Sequence, residues 1–322
     1  MRVAVLSGGR SSEHEVSLES GKAVAQGLAE AGHEPLAVLI SRDGRWTTEG
    51  KPLALEPAGG LLGADAVFPV LHGPFGEDGS VQGLLECLDV PYVGPGVLAA
   101  AVAMDKLVFK RLCAFHDLPQ VDFCEAGVEG WRERALAMAP PLWVKPSRLG
   151  SSVGISKVTD PRSQLDAAVA AALRHDPRVI IEADGGGIEV ECSVIGNDEL
   201  EVSLPGQIVI DADWYDYEAK YEEGGMELVV PAPIPEQATT RLTDLARQVF
   251  RAVGASGLAR CDFFVRDSGE VLVNEINTIP GFTATSVFAK LFEASGVPYP
   301  EVCDRLVHLA VERHEAERSY EF

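Results

Sequence analysis

Leu258-Ala-Arg-Cys-Asp-Phe-Phe-Val265, then Arg266-Asp-Ser-Gly-Glu270, then Val271-Leu-Val-Asn-Glu-Ile-Asn277, reads as two strands joined by a tight turn. Aliphatic and aromatic residues fill both outer runs, and the Asp-Ser-Gly cluster between them is turn chemistry. A turn at Ser268-Gly269 sets Asp267 opposite Glu270, Asp262 opposite Glu275, and Arg260 opposite Asn277. Strand side chains alternate with period two, so Arg260, Asp262, Glu275 and Asn277 share one face. Two carboxylates about 5 Å apart repel by roughly 3 kcal/mol at an effective dielectric of ~20. Such a pair calls for a proton or a cation between its members. A hard divalent ion such as magnesium takes carboxylate and amide oxygens and keeps positions open for phosphate. The plain alternative on these residues alone is a surface hairpin that carries two acids.

Composition narrows the classes. The chain has 322 residues, enough for a substantial core and for two or three domains. Its 46% hydrophobic and 24% charged residues are ordinary for a globular protein. No apolar run reaches ~18 residues, so no membrane span is expected. The opening Met1-Arg-Val-Ala-Val-Leu-Ser-Gly-Gly9 reads as a short first strand rather than a signal peptide. Six scattered cysteines form no C-x-x-C pair, and several lie in apolar runs, which predicts reduced thiols in a cytoplasm. A net charge of −22 disfavours nucleic acid as a partner, since phosphate-backbone binding needs a basic face. An anionic ligand must instead be held by a few local cations; Lys106, Lys145, Lys220 and Arg260 stand in suitable contexts.

Strands and helices alternate through the first hundred residues. Strands are predicted at Val3–Leu6, Leu36–Ile40 and Ala66–Leu71, with helices at Val16–Ala31 and Ser80–Leu88. This alternation predicts an α/β region with a parallel sheet and its ligand edge at the carboxyl ends of the strands. Those ends carry Ser7-Gly8-Gly9 and Leu71-His72-Gly73. The glycines do not form G-x-G-x-x-G, so a nicotinamide dehydrogenase is disfavoured.

After Gly94-Pro-Gly96, apolar residues at Met104, Leu107, Val108, Leu112 and Phe115 predict one helix packed on one side. Further strands are expected at Leu142–Lys145, Gly154–Val158, Arg178–Glu182 and Glu189–Ile195, with a helix at Gln164–His175. Helices at Gln237–Val253 and Pro300–Arg313 flank the hairpin, and Asp211–Gly225 reads as a long loop. The expected domains are 1–100, 101–195 and 196–322.

The run Trp143-Val-Lys145-Pro-Ser-Arg-Leu-Gly150-Ser-Ser152-Val-Gly154 places a lysine at a strand end before a loop of small residues. A long cation there reaches over a cleft, while small residues let N–H groups approach an anion. It is not a Walker A sequence. A hairpin connection with no ligand is the alternative for this run.

Together these segments resemble the ATP-grasp superfamily, and within it the D-alanine–D-alanine ligases. Six motifs occur in the family's order: Gly8-Gly-Arg-Ser-Ser-Glu-His-Glu-Val-Ser-Leu18, Leu71-His-Gly-Pro-Phe-Gly-Glu-Asp-Gly79, Met104-Asp-Lys106, Val144-Lys-Pro-Ser-Arg-Leu-Gly-Ser-Ser-Val-Gly154, Tyr215-Asp-Tyr-Glu-Ala-Lys-Tyr221 and Asn274-Glu-Ile-Asn-Thr-Ile-Pro-Gly-Phe-Thr283. The resemblance implies an α/β (α+β) ATP-grasp fold: an N-terminal parallel α/β domain, then two domains that clamp ATP between them. It also implies that ATP phosphorylates one D-alanine to an acyl phosphate, which the amine of a second D-alanine attacks. The products would be dipeptide, ADP and phosphate, with the dipeptide entering peptidoglycan precursor synthesis. A homodimer is implied on the same ground.

By that resemblance, Asp262, Glu275 and Asn277 hold two magnesium ions, for which manganese can substitute. Lys106, Lys145, Ser151, Ser152 and Lys220 contact ATP, while Glu182 and Glu189 accept from adenine and ribose. Arg260 and the N–H of Gly281 face the tetrahedral oxyanion. Glu13 meets the ammonium of the first D-alanine, with His72 nearby, and Ser286 donates to the carboxylate of the second. Glu13, Ser151 and Tyr221 form a hydrogen-bonded set, with Tyr221 on a loop that closes over the site. Each residue also has a plainer role to offer; Ser286, for instance, is placed to cap a following helix. Two departures from the family pattern are Ala183-Asp-Gly-Gly-Gly187, without the basic and aromatic pair of many relatives, and Thr285, where some carry histidine. The rival readings are a D-alanine–D-lactate ligase, against which Tyr221 argues, and a non-catalytic nucleotide or amino-acid sensor.

Overall fold

In the computed structural model, residues 1–210 and 226–320 are described. The motif Tyr215–Tyr221, including Lys220 and Tyr221, and the expected loop Asp211–Gly225 lie outside the described residues.

The first sheet contains β1 (Arg2–Gly8), β2 (Glu34–Ile40), β3 (Trp46–Thr48), β4 (Lys51–Pro52) and β5 (Ala66–Pro69), in the order β4-β3-β2-β1-β5. Its centre, β2-β1-β5, is parallel, and β3 and β4 extend it antiparallel. Val3, Ala4, Val5 and Leu6 of β1 are all buried, as a strand covered on both faces requires. Helices His14–Glu30 and Ser80–Leu88 follow β1 and β5. They leave the carboxyl ends of those strands facing a cleft.

A second sheet, all antiparallel, has β6 (Phe123–Glu125), β7 (Leu142–Pro146), β8 (Ser156–Val158) and β9 (Val179–Ala183) in the order β6-β9-β7-β8. Helix Pro161–Ala172 packs on it. It starts earlier than expected because Asp160 caps it, accepting from Arg162 N–H, with proline at the first turn.

The third sheet has β10 (Ile188–Gly196), β11 (Leu200–Val202), β12 (Gly206–Ile210), β13 (Met226–Val229), β14 (Gly257–Val265) and β15 (Val271–Asn277). Its path runs β13-β12-β10-β14-β15, with β11 on β10. Helix Glu236–Ala252 covers one face of it, burying Ala238, Leu242, Leu245, Ala246, Val249 and Phe250. Those positions follow the i, i+3, i+4 rule. Each fully buried leucine or phenylalanine there contributes about 1.5–3 kcal/mol. The opposite face of this sheet remains for the cleft.

Three expectations are corrected. The hairpin loop has three residues, Asp267-Ser268-Gly269, so Arg266 rather than Asp267 faces Glu270, through an N–H···O bond of 3.0 Å. Gly269 takes the left-handed position, φ +85°. A bulge between Asp262 and Phe263 on one strand and Val273 and Glu275 on the other then adds Asn274, restoring Asp262 opposite Glu275 and Arg260 opposite Asn277.

The single helix expected across Met104–Phe115 is two, Val97–Met104 and Lys106–Phe115. Asp105 is extended between them and caps the second by accepting from Val108 N–H. Phe115 is 80% exposed and is not part of the packed side. The closing helix is longer than expected, Tyr299–Arg318. All six cysteines are free, five of them buried. Among the described residues no helix is long and apolar enough to cross a membrane.

Candidate active site

Two adjoining cavities lie between the sheets. One of about 180 Å³ is lined by Glu13, His72, Glu77, Arg260, Gly281 and Ser286, among others. The other, about 320 Å³, lies between the second and third sheets and is lined by Lys145, Ser152, Glu182, Glu189, Asp262 and Phe264, among others. Lys106, Ser151, Glu191, Arg260 and Glu275 line both. The cavities therefore meet at the hairpin.

In the larger cavity, local structure fixes each lysine. Asp105 ends one helix and caps the next, which puts Lys106 at the first position of the second helix. Ser147 Oγ and Arg178 Nη1 hold the Asp105 carboxylate at 2.7 and 2.5 Å. Lys106 Nζ donates to Leu149 O at 3.0 Å and lies 3.3 Å from Glu275 Oε2. Lys145, on β7, points at Glu182 on the neighbouring β9, Nζ to Oε2 2.6 Å.

Lys110 approaches the other oxygen of Glu182 at 3.1 Å and is itself 1% exposed. Burial works against the charge on Glu182, but the two lysines prevail and hold its carboxyl down at about 2. Burial opposes the charge on Lys145 too, and Glu182 with Glu275 and Glu189 nevertheless raises its pKa. Each oxygen of Glu182 is thus engaged by one lysine and keeps a further lone pair, and the residue lines the larger cavity. For Lys145→Ala we expect an apparent KM for ATP raised about 10- to 100-fold, the worth of one charge-assisted hydrogen bond to phosphate. Steady-state titration of ATP checks it, and an unchanged KM would make Lys145 structural.

The hairpin is more strongly compensated than its sequence suggests. Arg260 donates from Nε and Nη2 to the two oxygens of Asp262, at 2.8 and 2.7 Å. Its Nε is also 2.7 Å from Glu191 Oε2 on β10. Asn277 Nδ2 donates to Asp262 Oδ2 at 2.9 Å. Burial works against the guanidinium, yet Asp262 and Glu191 hold its pKa well above the ordinary value. The opposed acids are therefore neutralised within the chain by Arg260 and Lys106, so their pairing does not by itself require a metal ion.

The donor set still suits one. Two carboxylates and an amide are hard oxygen ligands brought together on a rigid ladder, with positions left for phosphate. Among the described residues no group of three or more histidine, cysteine or carboxylate side chains could hold a metal ion alone.

In the smaller cavity, Ser151 Oγ donates to Glu13 Oε1 at 2.5 Å across 138 residues of sequence. Ser151 and Ser152 both have positive φ, +51° and +58°, at the centre of a turn closed by Val153 N–H to Gly150 O at 3.2 Å. Holding two serines there costs of order 1–3 kcal/mol each. That strain places Ser151 between the two cavities.

His72 donates from Nδ1 to Ile279 O at 3.1 Å, and Ser20 Oγ donates to its Nε2 at 3.0 Å. A carbonyl only accepts, so the proton of the neutral ring lies on Nδ1. Burial lowers its pKa against the pull of Glu13 and Ile279. Both ring nitrogens have partners inside the protein, while His72 also lines the smaller cavity.

Ser286 stands at the N-cap of helix Val287–Ala294 but makes no side-chain cap. Its Oγ accepts instead from Thr283 N–H at 3.0 Å and meets Thr283 Oγ1 at 2.8 Å. Gly281 faces it; a Cβ on Gly281 would lie 3.2 Å from Ser286 Oγ. Thr285, to which the sequence assigned no role, contacts Thr283 Oγ1 at 3.1 Å.

Three residues escaped the sequence reading: Glu77, Lys110 and Glu191. Removal from water, reinforced by Glu13, pushes the Glu77 carboxyl up to about 8, although N–H groups of Gly73 and Ile279 donate to it. Glu191 had a legible signal. Glu189, Glu191 and Ser193 alternate with Val190, Cys192 and Val194, and pair with Phe264, Asp262 and Arg260.

Two antiparallel sheets closing on a lysine-lined cavity, beside a parallel α/β unit, define an ATP-grasp enzyme. The family model described as D-ala D-ala ligase N-terminus matches residues 2–61 and 53–95, and that of the D-ala D-ala ligase C-terminus matches residues 112–308. The D-alanine–D-alanine ligase of Deinococcus radiodurans is 45% identical over 335 residues, covering 97% of this chain and 98% of the relative. That of Halothermothrix orenii is 40% identical, with 97% and 98% covered. Among solved structures, the D-alanine–D-alanine ligase from Coxiella burnetii superposes with a TM-score of 0.89 at 34% identity, over 99% of this chain and 96% of that one. The VanG D-Ala:D-Ser ligase from Enterococcus faecalis gives 0.86 at 33%, over 96% and 99%. The chain belongs to the D-alanine–D-alanine ligase family.

Proposed function

We propose that this enzyme joins two D-alanines through a D-alanyl phosphate, forming D-alanyl-D-alanine, ADP and phosphate for peptidoglycan synthesis. The observation that carries the reading is the meeting of the two cavities at Arg260 and Glu275. It brings a lysine-lined nucleotide cavity against a smaller one lined by the Glu13 carboxylate and by Gly281 and Ser286.

In this reading Glu13 receives the ammonium of the first D-alanine, oriented by Ser151. Lys106, Lys145 and Lys220 hold phosphate oxygens, with Ser151 and Ser152 beside them and Glu189 towards the ribose. Arg260 and Gly281 N–H stabilise the oxyanion, and Ser286 receives the carboxylate of the second D-alanine. Closure by the segment carrying Tyr221 would exclude water from the acyl phosphate. Asp262, Glu275 and Asn277 would hold magnesium, which would neutralise the ATP phosphates. Positioning and charge stabilisation supply most of the rate.

The three sheets correspond to three domains close to 1–100, 101–195 and 196–322, except that β10 belongs to the third sheet, which moves the second boundary to just before Ile188. The free cysteines support a cytoplasmic setting, and a homodimer is the assembly suggested by family membership. ADP release tests the reading. It should depend on D-alanine and magnesium, with L-alanine inactive; equal release with L-alanine or without magnesium would refute it. The likeness to a D-Ala:D-Ser ligase keeps D-serine as a second acceptor to assay beside D-lactate.

A further inference from the structure

Glu77 reaches the segment that links the proposed metal ligands to the oxyanion site. The Ile279 N–H donates to its Oε1 at 3.3 Å across 202 residues. One peptide further on, Ile279 O accepts from His72 Nδ1 at 3.1 Å across 207 residues. The two peptides flanking Ile279 are therefore gripped from the same N-terminal loop. Pro280 follows, and its ring fixes φ near −65°. With the Ile279 carbonyl held and that angle locked, one backbone torsion remains before the Gly281 N–H.

The grip is itself stiff. Gly73 N–H donates to Glu77 Oε2 at 2.7 Å, and Glu77 N–H donates back to Gly73 O at 2.9 Å. Gly76 between them admits no side chain, since a Cβ there would lie 2.1 Å from Leu71 O. Both oxygens of the Glu77 carboxyl accept from backbone N–H groups. Through Ile279 it reaches the Pro280–Gly281 segment.

We propose that Glu77 is a positioning residue which, with His72, clamps Ile279 and thereby aims the Gly281 N–H at the oxyanion. The inference rests on the ligase reading, and it concerns a group that strengthens its contact in the transition state. A misplacement of the order of 1 Å costs up to about 100-fold in rate. Glu77→Gln keeps the volume but accepts only one of the two N–H groups. It should lower kcat about 10- to 100-fold and leave the KM for ATP within about twofold. His72→Phe should behave alike. The double variant should lose little more than the worse single one, because both hold one residue; independent roles would multiply.

A kcat within about twofold of wild type for Glu77→Gln, multiplying losses, or a KM for ATP rising in step would each overturn the clamp. Should a variant fail to fold, amide exchange in the wild type decides: Ile279 N–H should be strongly protected, and exchange at an open-loop rate would refute it. Wild-type D-alanine-dependent ADP release is measured first. Its absence refutes the ligase reading, and amide exchange then judges the clamp separately.

Discussion

Glu275→Gln should lower D-alanine-dependent ADP release by about 1000-fold or more, while the melting temperature moves by only a few degrees. Glutamine preserves shape and one acceptor oxygen, but it removes a full charge from the proposed metal ligands. Loss of one well-placed electrostatic group commonly costs about 100- to 1000-fold, and a metal ligand shared with phosphate lies at or beyond that upper end. The cost to stability is small. Glu275 is 30% exposed and lies 3.3 Å from Lys106, and an ion pair that reaches solvent is worth about 0–1 kcal/mol. Steady-state ADP release across a range of magnesium concentrations checks it. A rate within tenfold of wild type, recovered without added magnesium, would remove Glu275 from the metal site. Asp262→Asn is different. It removes one of the two guanidinium bonds, since asparagine keeps a single acceptor oxygen, and relief of acid–acid repulsion does not offset the loss because Arg260 and Lys106 already neutralise the pair.

Arg260→Lys should be nearly as damaging, with kcat lowered about 100- to 1000-fold and roughly 2–4 kcal/mol of stability lost. The guanidinium is a planar fork that satisfies Asp262 with two bonds and Glu191 with a third contact. An ammonium on a shorter reach satisfies one acid well and leaves the other buried and underpaired. The same substitution takes a donor from the oxyanion side of the cavity. Urea unfolding and steady-state kinetics on the same preparation separate the two effects. Normal kcat with lowered stability would make Arg260 a purely structural bridge.

How far the sequence carried depends on where the signals are local. Strand patterning put Arg260, Asp262, Glu275 and Asn277 on one face, and the structure agrees. That agreement arises from two compensating miscounts: the loop is one residue longer than Ser268-Gly269 suggests, and Asn274 bulges to restore phase. Neither leaves a clear mark in composition. The break at Asp105 was hidden because apolar spacing continues across it, while the capping carboxylate draws its partners from residues 147 and 178. Lys110 and Glu77 escaped for a related reason. A lone charge in a helix or loop resembles a solvated one until the fold supplies Glu182 or Ile279. Family motifs identified Glu13 and Ser151, and the structure sets them 2.5 Å apart; no periodicity in either segment could.

The bulge at Asn274 has one more consequence. It lies between the loop and the acids, so the extra residue at the tip is cancelled before it reaches the chemistry. The corner at Ser268 is exposed and stands outside the paired ladder, and an engineer looking for a place to graft an affinity tag could begin there.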